Sequence, residues 1–174
     1  MAGPVDGRTG RYRGQGRSAP CSRRRCGHVT TVDTNILLYA ANADSPHQKT
    51  SEALLNRLAA GPDLVTFFWP TLLGFARIST HPRVFSNPLP LDIALAAVER
   101  LLAPPHVRAL GEADGFWRRF QDVAMPSRAS ANLVPDAHLV TLMRQHGVRE
   151  IWTNDRDFRK FDGIVVRDPF PADT

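Results

Sequence analysis

Aspartates stand beside apolar segments at three widely separated places in the sequence. Asp33 follows the run VTTV, Asp136 follows Pro135 at the start of an apolar stretch, and Asp155 ends the segment EIWTND. A carboxylate that leaves water needs a hydrogen-bond partner, a helix terminus or a cation. Carboxylates that gather in one crevice repel each other unless a divalent cation neutralises them, and oxygen-only ligation favours Mg²⁺ or Mn²⁺.

Each of these aspartates also has a purely local interpretation. Asp33 is a suitable N-cap for a helix that begins at TNILLYA. Asp136 can complement the dipole of a helix opened by proline. Asp155 and Asp157 can form an ordinary turn. The combination of three acids near strand or helix ends is what favours a functional site.

Strands alternate with helices along the chain, which predicts an α/β fold. The predicted strands cover residues 29–33, 64–69, 106–110, 150–155 and 163–166. The predicted helices cover residues 34–43, 46–60 after a Ser45 cap, 70–80, 91–102, 115–124 and 135–146. We expect a mostly parallel sheet of about five strands with helices on both faces. Sites in such sheets form outside the carboxyl ends of the strands, where the three aspartates would meet.

Composition places the chain among soluble globular proteins. Of 174 residues, 43% are hydrophobic and 22% are charged, which is ordinary for such a domain. No run approaches the roughly 18 apolar residues that a membrane span needs. We therefore expect no membrane segment and a cytoplasmic location.

The net charge of +5 is unevenly distributed. Residues 1–28 contain seven arginines and one aspartate, which leaves 15 basic and 16 acidic side chains in residues 29–174. A nucleic-acid partner therefore cannot be inferred from the charge of the domain. Residues 1–28 are rich in Gly and Arg and predict a disordered extension. An alternative start codon at Val29 would make this extension an artefact of start-site choice, and residues 29–174 form the predicted domain.

Three motifs occur in order: TVDTNILLYA, PDAHLVTLM and WTNDRDF. Together they resemble the PIN-domain ribonucleases, and FARISTHPRVF resembles the VapC toxins of type II toxin–antitoxin systems, particularly the mycobacterial type. The resemblance covers residues 29–170. It implies a PIN-like, Rossmann-like fold and Mg²⁺- or Mn²⁺-dependent endonucleolytic cleavage of structured RNA such as tRNA or ribosomal RNA, which inhibits translation. It also implies a cognate VapB-type antitoxin and a homodimer, for which helices 71–79 and 91–102 are candidate surfaces.

The resemblance assigns roles to individual residues. Asp33, Asp136 and Asp155 match the metal-binding, catalytic aspartates of the family. Asn35 matches a polar residue near the metal, Thr153 matches a hydroxyl position, and Asp157 is an auxiliary acid.

One position departs from the family pattern. The family usually has a glutamate in the helix after the second strand, and Leu72 stands at about that place. With one acid fewer, a second metal ion would be held less well. Glu112 or Asp114 could substitute for it in space, although nothing in the sequence shows this.

Local arginines would have to hold RNA if the domain itself is near neutral. The candidates are Arg77, Arg83, Arg118, Arg119, Arg156 and Arg159, each of which could equally be a solvated surface residue. Trp117, beside two of them, could stack a base, but a place in the core is the expected environment for its indole.

Two other functions remain open at this point. A degenerate PIN domain without the glutamate would act as an antitoxin-binding or RNA-binding module. A receiver-type signalling domain also clusters acids around Mg²⁺, but it needs a lysine at a late strand end. The domain has only Lys49 and Lys160, neither so placed.

Overall fold

Five short strands form a parallel sheet in the computed structural model, which describes residues 28–170. The strands are β1 (Val29–Val32), β2 (Leu64–Phe68), β3 (Val107–Leu110), β4 (Glu150–Trp152) and β5 (Val165–Arg167). Their order in the sheet is β3-β2-β1-β4-β5, and every neighbouring pair is parallel. Val32 pairs with Trp152, so β1 and β4 end side by side. The predicted α/β architecture is confirmed.

Six α-helices and one 3-10 helix are present in the same part of the chain. They are α1 (Thr34–Ala41), α2 (Gln48–Ala60), α3 (Trp69–Ser79), α4 (Leu91–Leu102), α5 (Phe116–Ala124), α6 (Leu133–Gln145) and the 3-10 helix Arg156–Lys160. None of the helices within residues 28–170 is both long and apolar enough to cross a bilayer.

The helices cover both faces of the sheet with two apolar cores. On one face Val32 and Phe67 pack with buried residues of α1 to α4 such as Phe75. On the other face Ile151 packs with α5, α6 and the 3-10 helix. Residues that alternate along a strand thus point into different cores.

Several predicted boundaries were wrong by two or three residues, among them the end of β4, which was expected at Asp155 and lies at Trp152. The helix expected at Pro46 begins at Gln48, because the Ser45 hydroxyl instead accepts a hydrogen bond from the His47 amide, 3.2 Å away, in a turn. Helix α6 begins before Pro135, which the first turn tolerates because the amides there lack intrahelical partners. Strand β5 begins only at Val165, because Gly163 turns the chain with φ 77°.

The predicted disordered extension lies almost entirely outside the described residues. Only His28 of residues 1–28 is described, and it immediately precedes β1. The prediction for the extension therefore stays a prediction, as does the domain boundary at residue 29.

Candidate active site

Asp33 links the first strand to the first helix. It follows β1 directly and is the N-cap of α1, where its Oδ1 accepts a hydrogen bond from the Thr34 amide at 2.6 Å. Its Oδ2 accepts a hydrogen bond from the Thr153 hydroxyl at 2.9 Å. Its backbone amide donates to the Trp152 carbonyl of β4 at 3.0 Å. The capping interpretation of Asp33 is therefore correct, and it leaves the carboxylate at the carboxyl edge of the sheet.

The Thr153 hydroxyl connects three parts of this edge. The side chain is fully buried and donates to Asp33, while its oxygen accepts from the Asp155 amide and from Asn35 Nδ2, both at 2.9 Å. A hydroxyl can donate one hydrogen bond and accept two, so the hydrogen-bonding capacity of Thr153 is fully used. This arrangement holds the residues after β1 and β4 in a fixed relation.

Asn35 adds a second polar side chain to the same network. Its Nδ2 also donates to Asn154 Oδ1 at 3.0 Å, and Asn154 donates to the Tyr39 hydroxyl at 3.3 Å. The Asn35 Oδ1 is buried and has no hydrogen-bond partner within residues 28–170. A buried acceptor of this kind is costly unless water or a cation meets it.

Asp155 and Asp157 form the start of the 3-10 helix. Asp155 Oδ1 accepts from the Asp157 amide at 2.8 Å, and Asp157 Oδ1 pairs with Lys160 Nζ at 2.8 Å. The turn interpretation is thus also correct. Lys160 brings a positive charge to the border of the acidic group.

Asp136 lies in the first turn of α6 and completes the acidic group. The pKa of Asp136 is raised to about 7, mainly by burial and also by the negative charges of Asp155, Asp33 and Asp157, whereas Lys160 lowers it. Burial likewise raises the pKa of Asp33 to about 6, against the hydrogen bonds from Thr153 and Thr34. The predicted aspartates are therefore near enough to repel one another.

The donor set fits a hard divalent cation, although not as a closed shell of direct ligands. Among residues 28–170, no three carboxylate, imidazole or thiol groups are arranged to hold a metal ion by themselves. Mg²⁺ commonly keeps several waters and needs only one or two protein carboxylates. The raised pKa values of Asp136 and Asp33 indicate that their negative charges are poorly compensated, and the buried Asn35 oxygen lacks a donor. A cation would satisfy both. The ligand roles of Asp33, Asp136 and Asp155 stay predictions.

No acid of α3 adds to the group. Leu72 is buried in the apolar core with Ile36 and Phe75. The Glu112 carboxylate instead forms a hydrogen bond with His138 Nε2, 2.7 Å away. Neither Glu112 nor Asp114 is among the charges that raise the pKa of Asp33 or Asp136, so neither replaces the missing glutamate in this conformation.

The arginines that were predicted to bind RNA lie on the surface of the domain. The candidate arginines are all exposed, and in the described part of the chain none of them forms an ion pair: Arg77, Arg83, Arg118, Arg119, Arg156 and Arg159. Their role in binding RNA stays a prediction. The expectation for Trp117 was wrong, because 67% of this residue is exposed. Helix α5 is amphipathic, and Trp117 falls beside Arg118 on its outer side.

Sequence reasoning missed Asn154 and Lys160. Asn154 lies inside the motif WTNDRDF, where it was given no role, yet its side chain links Asn35 to Tyr39. The spacing of Lys160 three residues after Asp157 was an available indication, because such pairs meet on one helical face.

Comparison with known proteins gives a consistent result. The sequence model of the PIN domain matches residues 30–164. The chain is 48% identical over 140 residues to Ribonuclease VapC48 of Mycobacterium tuberculosis, covering 80% of this chain and 97% of that protein. It is 38% identical over 137 residues to Ribonuclease VapC37 of the same organism, covering 76% and 92%.

Solved structures show the same fold. The M. tuberculosis VapC20 structure, described as a sarcin-ricin loop cleaving toxin, superposes with a TM-score of 0.56 at 22% identity and covers 78% of this chain and 98% of that one. VapBC2 of Rickettsia felis, bound to a promoter DNA fragment, gives a TM-score of 0.58 at 12% identity and covers 80% and 97%.

Proposed function

The chain belongs to the PIN-domain family and to its VapC ribonucleases, and from that premise we propose that it is a toxin that cleaves RNA endonucleolytically with Mg²⁺ or Mn²⁺. The observation that carries the proposal is the acidic group formed by Asp33, Asp136 and Asp155. These residues come from distant parts of the sequence and lie at the carboxyl edge of one sheet, where the charge of Asp155 raises the pKa of both Asp33 and Asp136. An acidic group without a counter-ion destabilises a fold, so it needs a function to account for it.

The three aspartates would hold the metal ion, with Asn35 and Asp157 beside them. A bound divalent ion supplies a water of lowered pKa as nucleophile and neutralises charge on the scissile phosphate. The Thr153 hydroxyl and the Thr34 amide orient the Asp33 carboxylate, which keeps its oxygens in place before substrate arrives. Lys160 lies where it can meet the phosphate charge that approaches the acids.

The missing glutamate bears on the number of metal ions. With Leu72 in the core, no side chain of α3 adds a fourth carboxylate. We therefore infer one tightly bound ion, with a second recruited only together with the RNA.

The substrate and partners follow from the family. The substrate class is structured RNA such as tRNA or ribosomal RNA, and cleavage inhibits translation, which places the protein in the cytoplasm. A VapB-type antitoxin neutralises it by covering the acidic edge. The chain also forms a homodimer, for which α3 and α4 offer exposed apolar residues such as Leu73 and Leu95.

RNA cleavage by the full chain tests the proposal. We expect wild-type protein to cleave RNA with Mg²⁺ or Mn²⁺ and to lose activity with EDTA. Asp33→Asn should lower the rate by at least about a hundredfold, because it removes a charge from the metal site. Asp44→Asn makes the same chemical change at an exposed position outside the site, and its rate should equal that of wild type.

The alternative is a non-catalytic module, which the absent acid in α3 favours. It requires that a folded wild-type chain bind antitoxin or RNA without any metal-dependent cleavage. Equal residual cleavage by wild type and Asp33→Asn would remove the metal-dependent proposal.

A further inference from the structure

Three aromatic side chains on α5 form a surface that the activity above does not use. We call Phe116, Trp117 and Phe120 the α5 platform. The Trp117 ring lies 5.6 Å from the Phe120 ring, centroid to centroid, with an interplanar angle of 24°. Since 67% of Trp117 is exposed, the structure leaves a large apolar ring in water. Enclosing this ring in a core would be favourable, because burial of apolar surface stabilises a fold.

The α5 platform packs against α6, the helix that carries Asp136. Phe120 stacks with Phe116 at 6.1 Å and 23°, and Phe116 contacts the His138 ring at 5.0 Å. His138 follows Asp136 by two residues on α6. Ring contacts therefore form a continuous path from the helix that carries Asp136 to the exposed indole. Residues two apart on a helix do not share a face, so these rings connect Trp117 to α6 rather than to the Asp136 carboxylate itself.

The charges beside Trp117 favour an anionic ligand. Arg118 and Arg119 follow it directly, are exposed, and pair with no carboxylate of residues 28–170. Asp122 is the acid on the same helix. Helix α5 thus offers two exposed guanidinium groups against one carboxylate, on other faces of the helix than the indole. A nucleotide matches both features, because its base stacks on an indole and its phosphate binds arginine.

We propose that the α5 platform stacks an unpaired base of the RNA substrate through Trp117, while Arg118 and Arg119 bind the adjoining phosphates. This inference rests on the proposed ribonuclease function and narrows its substrate class. A base inside a duplex is covered on both faces, so it can stack on an indole only after leaving its helix. An RNA that binds this surface must therefore contain an unpaired base.

Binding by Asp33→Asn protein, which does not cleave, provides the test. The probes are a labelled hairpin RNA with a purine-rich loop and a continuous duplex with the same stem, measured by fluorescence anisotropy. Adding Trp117→Ala should weaken loop binding on the order of tenfold, as loss of one base-stacking contact does, and duplex binding by less than about twofold. Trp117→Phe should retain most of the loop affinity. Val165→Ala, at an exposed apolar residue of β5, is the matched control and should change neither.

The arginines should behave differently from the tryptophan. Joint Arg118→Gln and Arg119→Gln should weaken binding of both RNAs. The slope of log affinity against log salt should fall by about 1.4 for the loop, since each of two phosphate contacts on a single strand contributes roughly 0.7.

Two results would overturn the inference. One is unchanged loop affinity in a folded Trp117→Ala protein, or no measurable loop binding by its parent. The other is loss of self-association or of antitoxin binding by Trp117→Ala with loop affinity unchanged, which would assign the α5 platform to a protein partner. Metal-dependent cleavage by wild type that Asp33→Asn lacks would still support the ribonuclease in both cases, so the two proposals fail separately.

Discussion

The Asp33 carboxylate shows how one residue serves both structure and chemistry. It caps α1 through the Thr34 amide and receives the Thr153 hydroxyl, so it would be retained for folding alone. Yet its pKa is raised to about 6, mainly by burial and in part by the charge of Asp155. An aspartate that served only as a helix cap would stabilise the fold more if no other acid lay near it. The capping and metal-binding interpretations are therefore compatible, and the repulsion is what points to chemistry.

Stability of the metal-free protein should depend on pH through two aspartates. Asp136 and Asp33 have pKa values of about 7 and about 6 in the folded state, against an ordinary value of 3.8. Between about pH 4 and pH 7 the folded state therefore binds more protons than the unfolded state, so the free energy of unfolding rises as the pH falls. In EDTA we expect the melting temperature to increase by a few degrees from pH 7.5 to pH 5.5, measured by circular dichroism.

Controls separate this effect from other titrations. Asp136→Asn should remove the part of the increase centred near pH 7, whereas Asp44→Asn should leave it. Saturating Mn²⁺ should flatten the profile, because metal and protons compete for the same carboxylates. Glu112 and Glu150 have lowered pKa values, so they destabilise the fold only below about pH 4.5, outside this range. A melting temperature that falls on acidification from pH 7.5 would contradict the assignment.

At the scale of the element, helix α3 decides how many acids the site contains. The sequence places Leu72 at about the position of the family glutamate, but position along the chain does not determine which way a side chain points. The structure turns Leu72 into the core beside Ile36 and Phe75, while its neighbour Leu73 is 63% exposed. The leucine that stands in place of the family glutamate therefore contributes to the packing of α3 against the core.

Leu72→Glu should therefore damage the fold without restoring a metal ligand. A carboxylate in that core loses its hydration, so we expect a loss of about 3 kcal/mol or more in the free energy of unfolding, measured in urea. The number of Mn²⁺ ions bound, measured by calorimetry, should not increase. Leu73→Glu places the same charge one residue further on, at an exposed position, and should change stability by less than about 0.5 kcal/mol. A second bound Mn²⁺ in Leu72→Glu protein would show that α3 can reach the site.

The elements were predicted well where apolar periodicity was strong and less well where turns decided the outcome. Helix α4 matches its prediction at both ends, because a long apolar pattern lies between prolines. The starts of α2 and α6 were misplaced, since Ser45 and Pro135 fit a turn or a first helical turn equally well. The convergence of the aspartates could be predicted from their positions at two strand ends and one helix start. The exposure of Trp117 could not, because hydrophobicity does not tell which face of an amphipathic helix a partner will cover.

For the whole molecule, the distribution of charge limits how RNA can be held. Residues 29–174 are close to neutral, so the domain has no general attraction for a polyanion. Binding must come from a few arginines and from contacts that do not depend on charge. A stacking surface such as the α5 platform meets this need, and it gives selectivity for unpaired bases that a broad basic surface would lack.

The exposed apolar side chains of α4 are the basis for our last prediction, a homodimer. Leu91 and Leu95 lie one turn apart on α4 and are 59% and 48% exposed, and Leu73 of the neighbouring α3 is also exposed. Contiguous apolar residues on a small domain commonly mark an interface.

The full chain should therefore be dimeric by light scattering, and joint Leu91→Lys and Leu95→Lys should make it monomeric because buried ammonium groups are costly. Val165→Lys, at a 45% exposed residue of β5, should remain dimeric. A dimer that survives both α4 substitutions would place the interface elsewhere, and α4 would then be free to bind the antitoxin.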